Sequence, residues 1–393
     1  MKHYNQKKDH LTRILDFIIY VLDYIYKEMT VIPKDLITEI HLRYFRFNKN
    51  SKKKILGYWD FNQRVSKLGD FLCFLEYLSY LQQELKPGGE RERAIDLCFI
   101  DDATHYNATM SKFQKSYQYK QLFASLVVTN SLVDSVFWFR SNREFERFYR
   151  SNRTRYIRWP PTVSGTFLFN PEKLEELFQK NKSIPQLGLP SEILAKAYSF
   201  YGAHLGSSLP IIVNIRHNLS HANYRNSNIQ EWQRFFRHYE LDPRYRFIII
   251  CNREEILEDL RNMNNVLFSK DYFSTLEEDL ALIKTSYLSI FPSSGMACFA
   301  WYSNVPFLQH GPHGRDHITV PKDGKSFQFF QEYQRQCYDQ TGTSEWLISA
   351  FDSLRDYLEE QGINNFQRIK ETINREAKIN KNPYRKRWGI FKV

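Results

Sequence analysis

Arginine, histidine, asparagine and serine side chains follow short apolar runs in the second half of the chain. The run LPIIVNIR ends in Arg216 and leads into a polar loop that contains His217, His221, Arg225, Asn226 and Asn228. A later run leads into Ser293-Ser294-Gly295. Guanidinium donors match the oxygens of a phosphate group, and a small-residue turn that starts a helix offers N–H groups to an anion. Together these residues could bind a pyrophosphate.

The elements that must position these residues are predicted to alternate between strands and helices. Apolar runs predict buried strands at 209–216, 246–252, 265–269, 288–294 and 305–310. Helical patterns separate them, at 229–240, 253–263, 276–287 and 296–303. This alternation predicts βαβ units and a doubly wound sheet. Ligands of such sheets bind beyond the carboxyl ends of the strands, so the chemistry is expected there.

The order of these features resembles the donor-binding half of a glycosyltransferase with two Rossmann-like domains, the GT-B architecture. VNIRHN at 213–218 is similar to the His-x-Arg-Arg motif of the fucosyltransferase-like group, with Asn214 in place of the His and His217 in place of the second Arg. LEEDLALIKTSYLSIFPSSG at 276–295 is similar to that group's segment of Asp, helix, strand and Ser-Ser. YRNSNIQEW at 224–232 resembles a segment of bacterial glycosyltransferase-like proteins.

The resemblance implies an α/β fold in which two Rossmann-like domains face each other across a cleft, with helical extensions at both termini. It implies that Arg216 holds the donor diphosphate, that Asp279 accepts a hydrogen bond from the donor's base, and that Ser294 binds phosphate. The other expected donor-binding residues are Arg225, Asn226, Asn228, Asn252, Ser293, Gly295 and His310. No metal or other cofactor is expected, and the departures at Asn214 and His217 mean that the donor need not be GDP-fucose.

The length of 393 residues is enough for two domains with separate cores. We predict an N-terminal helical extension at 1–54, an acceptor domain with a connector at 55–189, a donor domain at 190–343, and C-terminal helices with a basic tail at 344–393. Apolar periodicity predicts helices at 11–26, 191–204, 344–360 and beyond 364. Pro160 and Pro161 close the first half, because two prolines continue neither a helix nor a central strand.

The first half carries weaker chemical signals. Strands are predicted at 55–61, 94–100 and 134–140, with helices at 69–85 and 117–133. Asp70 either caps its helix or serves as a base toward the acceptor. Asp101 and Asp102 either cap a loop or bind a hard cation, and Asp101 joins Asp70 and His221 as a candidate general base. Arginines on one predicted helix form either a solvated face or a site for an anionic acceptor or lipid headgroup: Arg143, Arg147, Arg150 and Arg153.

The net charge and the composition limit the kinds of partner and the cellular compartment that the sequence predicts. The formal net charge of +11 predicts an anionic partner, which could be a nucleotide-sugar, a phospholipid headgroup or a nucleic acid. Five cysteines without a CxxC pair fit a reducing cytosol. The polar start and the lack of an apolar run of about 20 residues near it predict a cytoplasmic protein that is at most peripheral to the inner face of the membrane.

Two further clusters leave alternatives open. His310, His313 and His317 have a spacing that could supply metal ligands, although a loop of Gly, Pro and His is more often only a loop. His310 could instead contact the donor phosphate or sugar. The C-terminal segment with Arg385, Lys386, Arg387 and Trp388 could contact anionic lipid.

These features favour a nucleotide-sugar-dependent glycosyltransferase that acts on a hydroxyl acceptor, a glycan or a lipid-linked molecule, in surface glycan synthesis. Its expected catalytic residues are Arg216, Asp70 and His221. One alternative is a basic nucleic-acid-binding protein, although the sequence shows no RNP, zinc-finger or helix-turn-helix signature. The other is an inactive scaffold built from two Rossmann-like domains.

Overall fold

Apolar runs form two parallel sheets in the computed structural model. It describes residues 53–61, 68–85, 95–100, 122–160, 171–217, 226–311, 326–338, 342–379 and 391–392. Several predictions lie outside these residues: the helix at 11–26, Asp101, Asp102, His221, Arg225, His313, His317 and the basic segment at 385–388.

The first sheet contains five strands. They are β1 (Lys54–Asp60), β2 (Ile95–Ile100), β3 (Val133–Phe139), β4 (Tyr156–Trp159) and β11 (Phe391–Lys392), in the order β11-β3-β2-β1-β4. All neighbours in this sheet are parallel. The sequence did not predict β4, which lies at the edge of the sheet and stops at Pro160, where proline can be accommodated. The strand β11 returns the end of the chain to the first sheet.

The second sheet contains six parallel strands and has the strand order of a doubly wound nucleotide-binding fold. They are β5 (Leu209–Asn214), β6 (Tyr245–Ile250), β7 (Val266–Phe268), β8 (Leu288–Phe291), β9 (Phe307–Gly311) and β10 (Gln334–Tyr338). The order β10-β9-β8-β5-β6-β7 corresponds to 6-5-4-1-2-3 along the chain. All five predicted strands are present, and β10 adds a sixth. The direction of strand order reverses between β5 and β8.

Helices cover these sheets. They are α1 (Leu68–Leu85), α2 (Asn142–Ser151), α3 (Pro171–Asn181), α4 (Ser191–His204), α5 (Ile229–His238), α6 (Glu258–Arg261), α7 (Leu276–Thr285), α8 (Gly295–Trp301), α9 (Ser344–Glu360) and α10 (Asn365–Ile379). Residues 122–127 are also helical. The helices α4 and α9 have the predicted bounds. The helix α3 lies in the segment predicted to be a connector.

The prediction of one helix at 253–263 is wrong. A single 3-10 turn (Arg253–Glu255) is followed by extended backbone at Ile256 and Leu257, and only then by the short α6. The side chain of Glu255 accepts hydrogen bonds from the backbone and side-chain nitrogens of Asn252 at 3.2 Å. These two hydrogen bonds between Asn252 and Glu255 close the 3-10 turn. The ψ angles of 130° at Ile256 and 116° at Leu257 interrupt the helical backbone before it can propagate.

The buried apolar residues form separate clusters on the two faces of each sheet, because successive residues of a strand point to opposite faces. In the first sheet, Ile55 and Trp59 face α1, whereas Leu56 and Tyr58 pack with residues of α2. In the second sheet, Ile211 and Val213 pack with α5 and α9. The cluster that contains α1 also includes Ile212 and residues of α7 and α8, so one apolar core continues from the first half into the second.

Candidate functional site

Arg216 and the serine turn leave two neighbouring strands at the same edge of the second sheet. The parallel register pairs Val213 of β5 with Ile290 of β8. Arg216 comes two residues after the end of β5, and Ser293 comes two residues after the end of β8. This is the position at which the strand order reverses, and it is where doubly wound sheets bind their ligands. The two parts of the predicted anion site therefore follow the carboxyl ends of neighbouring strands.

The loop after β5 is closed at its base by Ser227. Its hydroxyl accepts a hydrogen bond from the backbone N–H of Arg216 at 3.2 Å, and its own N–H donates to the Arg216 carbonyl at 2.8 Å. Asn226 is half-buried next to it, and exposed Asn228 is the N-cap of α5, with its side-chain oxygen accepting from the N–H of Gln230. Of the predicted loop residues, His221 and Arg225 lie outside the described residues. Arg216 is thus held by a two-bond clamp at the sheet edge.

The turn after β8 leads into α8 without a side-chain cap. Ser293 is buried, and Ser294 occupies the N-cap position of α8, but its side chain makes no capping hydrogen bond. The Ser294 hydroxyl oxygen is buried and has no hydrogen-bond partner among the residues that the structure describes. The backbone N–H groups of this turn are thus not used by a side-chain cap, as an anion-binding role requires.

Gly295 lies against Gly69, at the junction of the two halves. A Cβ atom on Gly295 would lie 2.8 Å from the Gly69 nitrogen, and one on Gly69 would lie 3.0 Å from the Cys298 Sγ atom. Only glycine allows the starts of α1 and α8 to approach this closely. The Cys73 Sγ atom of α1 also lies 3.5 Å from the Tyr302 hydroxyl, just after α8. The glycine of the serine turn therefore has a packing role that the sequence did not reveal.

Asp70 lies at this same junction, immediately after Gly69. It is the third residue of α1 and lies in its first turn, so it is not the N-cap of that helix. The prediction that Asp70 is the N-cap is thus wrong, because the chain is already helical at Leu68. The side chain is half-buried. Asp70 of the first half therefore directly follows the residue that contacts the serine turn of the second half.

Asp279 is engaged in a buried polar cluster. Its carboxylate accepts hydrogen bonds from Ser269 Oγ at 2.9 Å and from Lys270 Nζ. Burial raises the pKa of Asp279, and the neighbouring Lys270 ammonium and Ser269 hydroxyl oppose part of this rise. Ser269 and Lys270 follow β7, so the cluster lies at the carboxyl edge of the sheet. Any contact between Asp279 and a donor base would share this carboxylate with Lys270.

Asn252 and His310 are both engaged by other parts of the protein. Asn252 is exposed at the end of β6 and bonds Glu255. His310 is buried with its ring centroid 6.0 Å from that of Trp232 and 5.8 Å from that of Trp346. These tryptophans belong to α5 and α9, which cover the face of the sheet opposite α7 and α8. His310 therefore lies among packed aromatic rings.

Sequence reasoning missed two charged residues at the carboxyl edges. Lys270 is the partner of Asp279, and it follows the apolar run of β7 directly. Asp60 ends β1 in the first sheet, where its buried carboxylate accepts a hydrogen bond from the Asn142 side chain at 3.0 Å. The available signal was the same in both cases: a charged residue at the end of a buried parallel strand.

The sequence matches no family model, and no curated protein matches it. The fold, however, is similar to known structures. The ADP-heptose LPS heptosyltransferase II of E. coli is 12% identical, with a TM-score of 0.50 over 78% of this chain and 99% of that one. The chain has the GT-B glycosyltransferase fold. A glycosyl transferase family 9 protein from Veillonella parvula is 15% identical over 78% of this chain and 98% of that one, with a TM-score of 0.45.

The GT-B fold accounts for the two parallel sheets. The narrower similarity to the fucosyltransferase-like group is not confirmed. Across the described ranges, no group of three or more His, Cys, Asp and Glu side chains is placed to hold a metal ion. Within these same ranges, no helix is both long enough and apolar enough to cross a membrane.

Proposed function

We propose that this protein is a glycosyltransferase that transfers a sugar from a nucleotide-sugar donor to a hydroxyl acceptor. The observation that carries the proposal is the position of Arg216 and the turn Ser293-Ser294-Gly295. They follow the carboxyl ends of the neighbouring strands β5 and β8, between which the strand order of the second sheet reverses, within a GT-B fold. A cationic fork and uncapped N–H groups at this point suit the diphosphate of a nucleotide-sugar.

The chemistry that these residues would perform is stabilisation of the leaving group. When the glycosidic bond breaks, the nucleoside diphosphate gains negative charge. The guanidinium of Arg216 and the N–H groups of the serine turn would stabilise this charge without a metal ion, and Arg225 would assist. The hydrogen bonds to Ser227 would hold the backbone of Arg216 at the sheet edge, from which its side chain reaches the diphosphate.

A general base is needed to deprotonate an acceptor hydroxyl in an inverting reaction. Asp70 is the predicted base that lies within the described residues, and it directly follows Gly69, which contacts Gly295 of the serine turn. Asp60, at the carboxyl edge of the first sheet, is a second acidic candidate, and His221 is a third. We propose that the acceptor approaches from the first half, and that it is a glycan or lipid-linked molecule used in surface glycan synthesis on the cytoplasmic side of the membrane.

The donor is tested by thermal unfolding in the presence of UDP-, GDP-, ADP-, CDP- and CMP-sugars. A ligand at a hundred times its dissociation constant stabilises the folded protein by about 2.7 kcal/mol, which is readily measured. We expect one nucleotide class to raise the unfolding midpoint. If none of the five does so at millimolar concentration, the proposal of a nucleotide-sugar enzyme fails and the scaffold alternative is favoured.

The role of Arg216 is tested by its replacement with alanine. Loss of one charge-stabilising donor should lower the turnover number about a hundredfold to a thousandfold and should weaken nucleoside diphosphate binding. The matched control is Arg237→Ala, which removes an exposed arginine on α5. Unchanged transfer by Arg216→Ala, in a protein that folds normally by circular dichroism, would remove Arg216 from the mechanism.

A further inference from the structure

The solvent-facing side of α2 carries a concentrated group of arginines. Six exposed arginines lie within residues 140–155: Arg140, Arg143, Arg147, Arg150, Arg153 and Arg155. The first helical turn is capped by Ser141, and Phe145 and Tyr149 anchor the opposite side of α2 in the core. Residues 143, 147 and 150 are spaced by four and three positions, so they share one face of the helix. We call these six residues the arginine surface.

The acidic residues near this surface do not neutralise it. Glu144 accepts a hydrogen bond from the backbone N–H of Arg140 at 2.9 Å and takes part in the N-terminal cap. Glu146 pairs with Arg158, which lies outside the arginine surface, at 2.6 Å. None of the six guanidinium groups forms an ion pair with a residue in the described part of the chain. Among the described residues 140–155, these six arginines outnumber the two glutamates, Glu144 and Glu146, so this surface carries a net positive charge.

The arginine surface is separate from the proposed donor site. The helix α2 packs on the face of the first sheet that carries Leu56 and Tyr58, whereas α1 packs on the other face and contacts α8 of the second half. The arginines thus lie on the side of the first sheet that is opposite to the junction between the halves. The arginines of α2 and the proposed diphosphate site at Arg216 thus belong to different sheets.

The aromatic residues of this segment distinguish two kinds of anionic partner. Binding of single-stranded nucleic acid relies on exposed aromatic rings that stack with bases. Here Phe145 and Tyr149 are buried, and half-buried Phe148 packs on Phe137 and Phe139 with centroid distances of 5.1 and 5.2 Å. The surface offers guanidinium groups without stacking platforms. This chemistry fits a layer of phosphate groups.

We propose that the arginine surface binds the headgroups of an anionic phospholipid bilayer and holds the protein peripherally at the membrane. Arginine pairs with phosphate through two parallel hydrogen bonds. A basic segment near an anionic leaflet gains affinity with each added cation, and salt screens this attraction. This proposal stands on the surface itself and does not depend on the donor or the reaction.

The test is co-sedimentation of the full chain with phosphatidylcholine vesicles prepared with and without phosphatidylglycerol. We expect binding only to the vesicles that contain phosphatidylglycerol, with a loss as salt is raised. The triple variant Arg143→Gln, Arg147→Gln and Arg150→Gln should partition roughly a hundredfold more weakly. The control variant Arg234→Gln, Arg237→Gln and Arg375→Gln removes the same charge from exposed arginines of the second half and should bind like the parent protein.

A second variant keeps the proposal testable if the glutamine variant does not fold. Replacing the same three arginines by lysine preserves the charge and should retain most of the vesicle binding. If the glutamine variant, the lysine variant and the control variant all lose vesicle binding equally, the proposal is overturned. Binding of the parent protein to vesicles of phosphatidylcholine alone would also overturn it. Tighter binding of a single-stranded oligonucleotide, lost in the glutamine variant, would assign the surface to nucleic acid instead. Nucleotide-dependent thermal stabilisation should be unchanged in all variants.

Discussion

At the scale of single residues, some polar groups near the proposed site have hydrogen-bond partners, whereas a buried polar group elsewhere has none within the described ranges. The backbone of Arg216 is held at the sheet edge by two hydrogen bonds to Ser227. Asp279 already has Lys270 and Ser269 as partners. Glu76 of α1 is different, because it is fully buried and neither carboxyl oxygen has a hydrogen-bond partner within the described ranges.

Glu76 predicts a specific dependence of stability on pH. Burial, with a smaller contribution from Cys73, raises the pKa of Glu76 well above its usual value of 4.5. The unfolded chain therefore loses this proton at lower pH than the folded protein does. The contribution of Glu76 to stability is greatest below pH 4.5 and declines by about 1.4 kcal/mol for each pH unit from there to the folded pKa.

Glu76→Gln removes the ionisable proton and should abolish this decline. We expect the free energy of unfolding of the variant, relative to the parent protein, to increase as the pH rises from 4.5 to 7. Urea unfolding at a series of pH values measures this difference. The control Glu360→Gln, at an exposed position, should show no such trend. A difference for Glu76→Gln that is independent of pH would show that the Glu76 carboxyl is solvated or paired.

At the scale of helices and strands, the contact between α1 and α8 connects the halves at the proposed site. The local sequence does not reveal the packing role of the two glycines at this contact. Gly295 reads as part of an anion-binding turn and Gly69 as part of a helix start. Their close approach joins residues that are far apart in the chain, and only the fold shows it.

Gly295→Ala should disturb this contact. The added Cβ would lie 2.8 Å from the Gly69 backbone nitrogen, which cannot move without shifting α1. We expect a loss of about 1–3 kcal/mol in the free energy of unfolding, together with weaker nucleotide binding. The control is Gly202→Ala in α4, where a Cβ would meet nothing within 4 Å and where helix propensity predicts a gain of about 0.5–1 kcal/mol. If both variants are equally stable, α1 and α8 do not pack this closely in solution.

The sequence predicted elements well where burial alone determines the pattern. The central strands β5 and β6 are buried on both faces, so each reads as a continuous apolar run. The edge strands β4 and β10 were missed, because β4 has only four residues before a proline and β10 has the polar sequence QRQCY. The helix predicted at 253–263 was wrong because the pairing of Asn252 with Glu255 is a side-chain effect that apolar periodicity does not detect.

At the scale of the whole molecule, the strand order reverses in the second sheet, and the first half contacts the serine turn there through Gly69. The sequence predicted Arg216 and the serine turn as one site because both follow strands of one parallel sheet. It could not predict that Gly69, the residue before Asp70, contacts Gly295 of this turn, because this depends on how the two halves pack. The account of function therefore depends on one claim, that this location receives the diphosphate of a nucleotide.

The most direct measurement of that claim is a crystal structure of the protein with the nucleoside diphosphate that gives the largest thermal stabilisation. We expect the diphosphate to lie beyond the carboxyl ends of β5 and β8, with its oxygens within hydrogen-bonding distance of the Arg216 guanidinium and of N–H groups in the turn Ser293-Ser294-Gly295. A nucleotide bound at another edge of the sheet, or on the far side of α5 and α9, would contradict the proposed function.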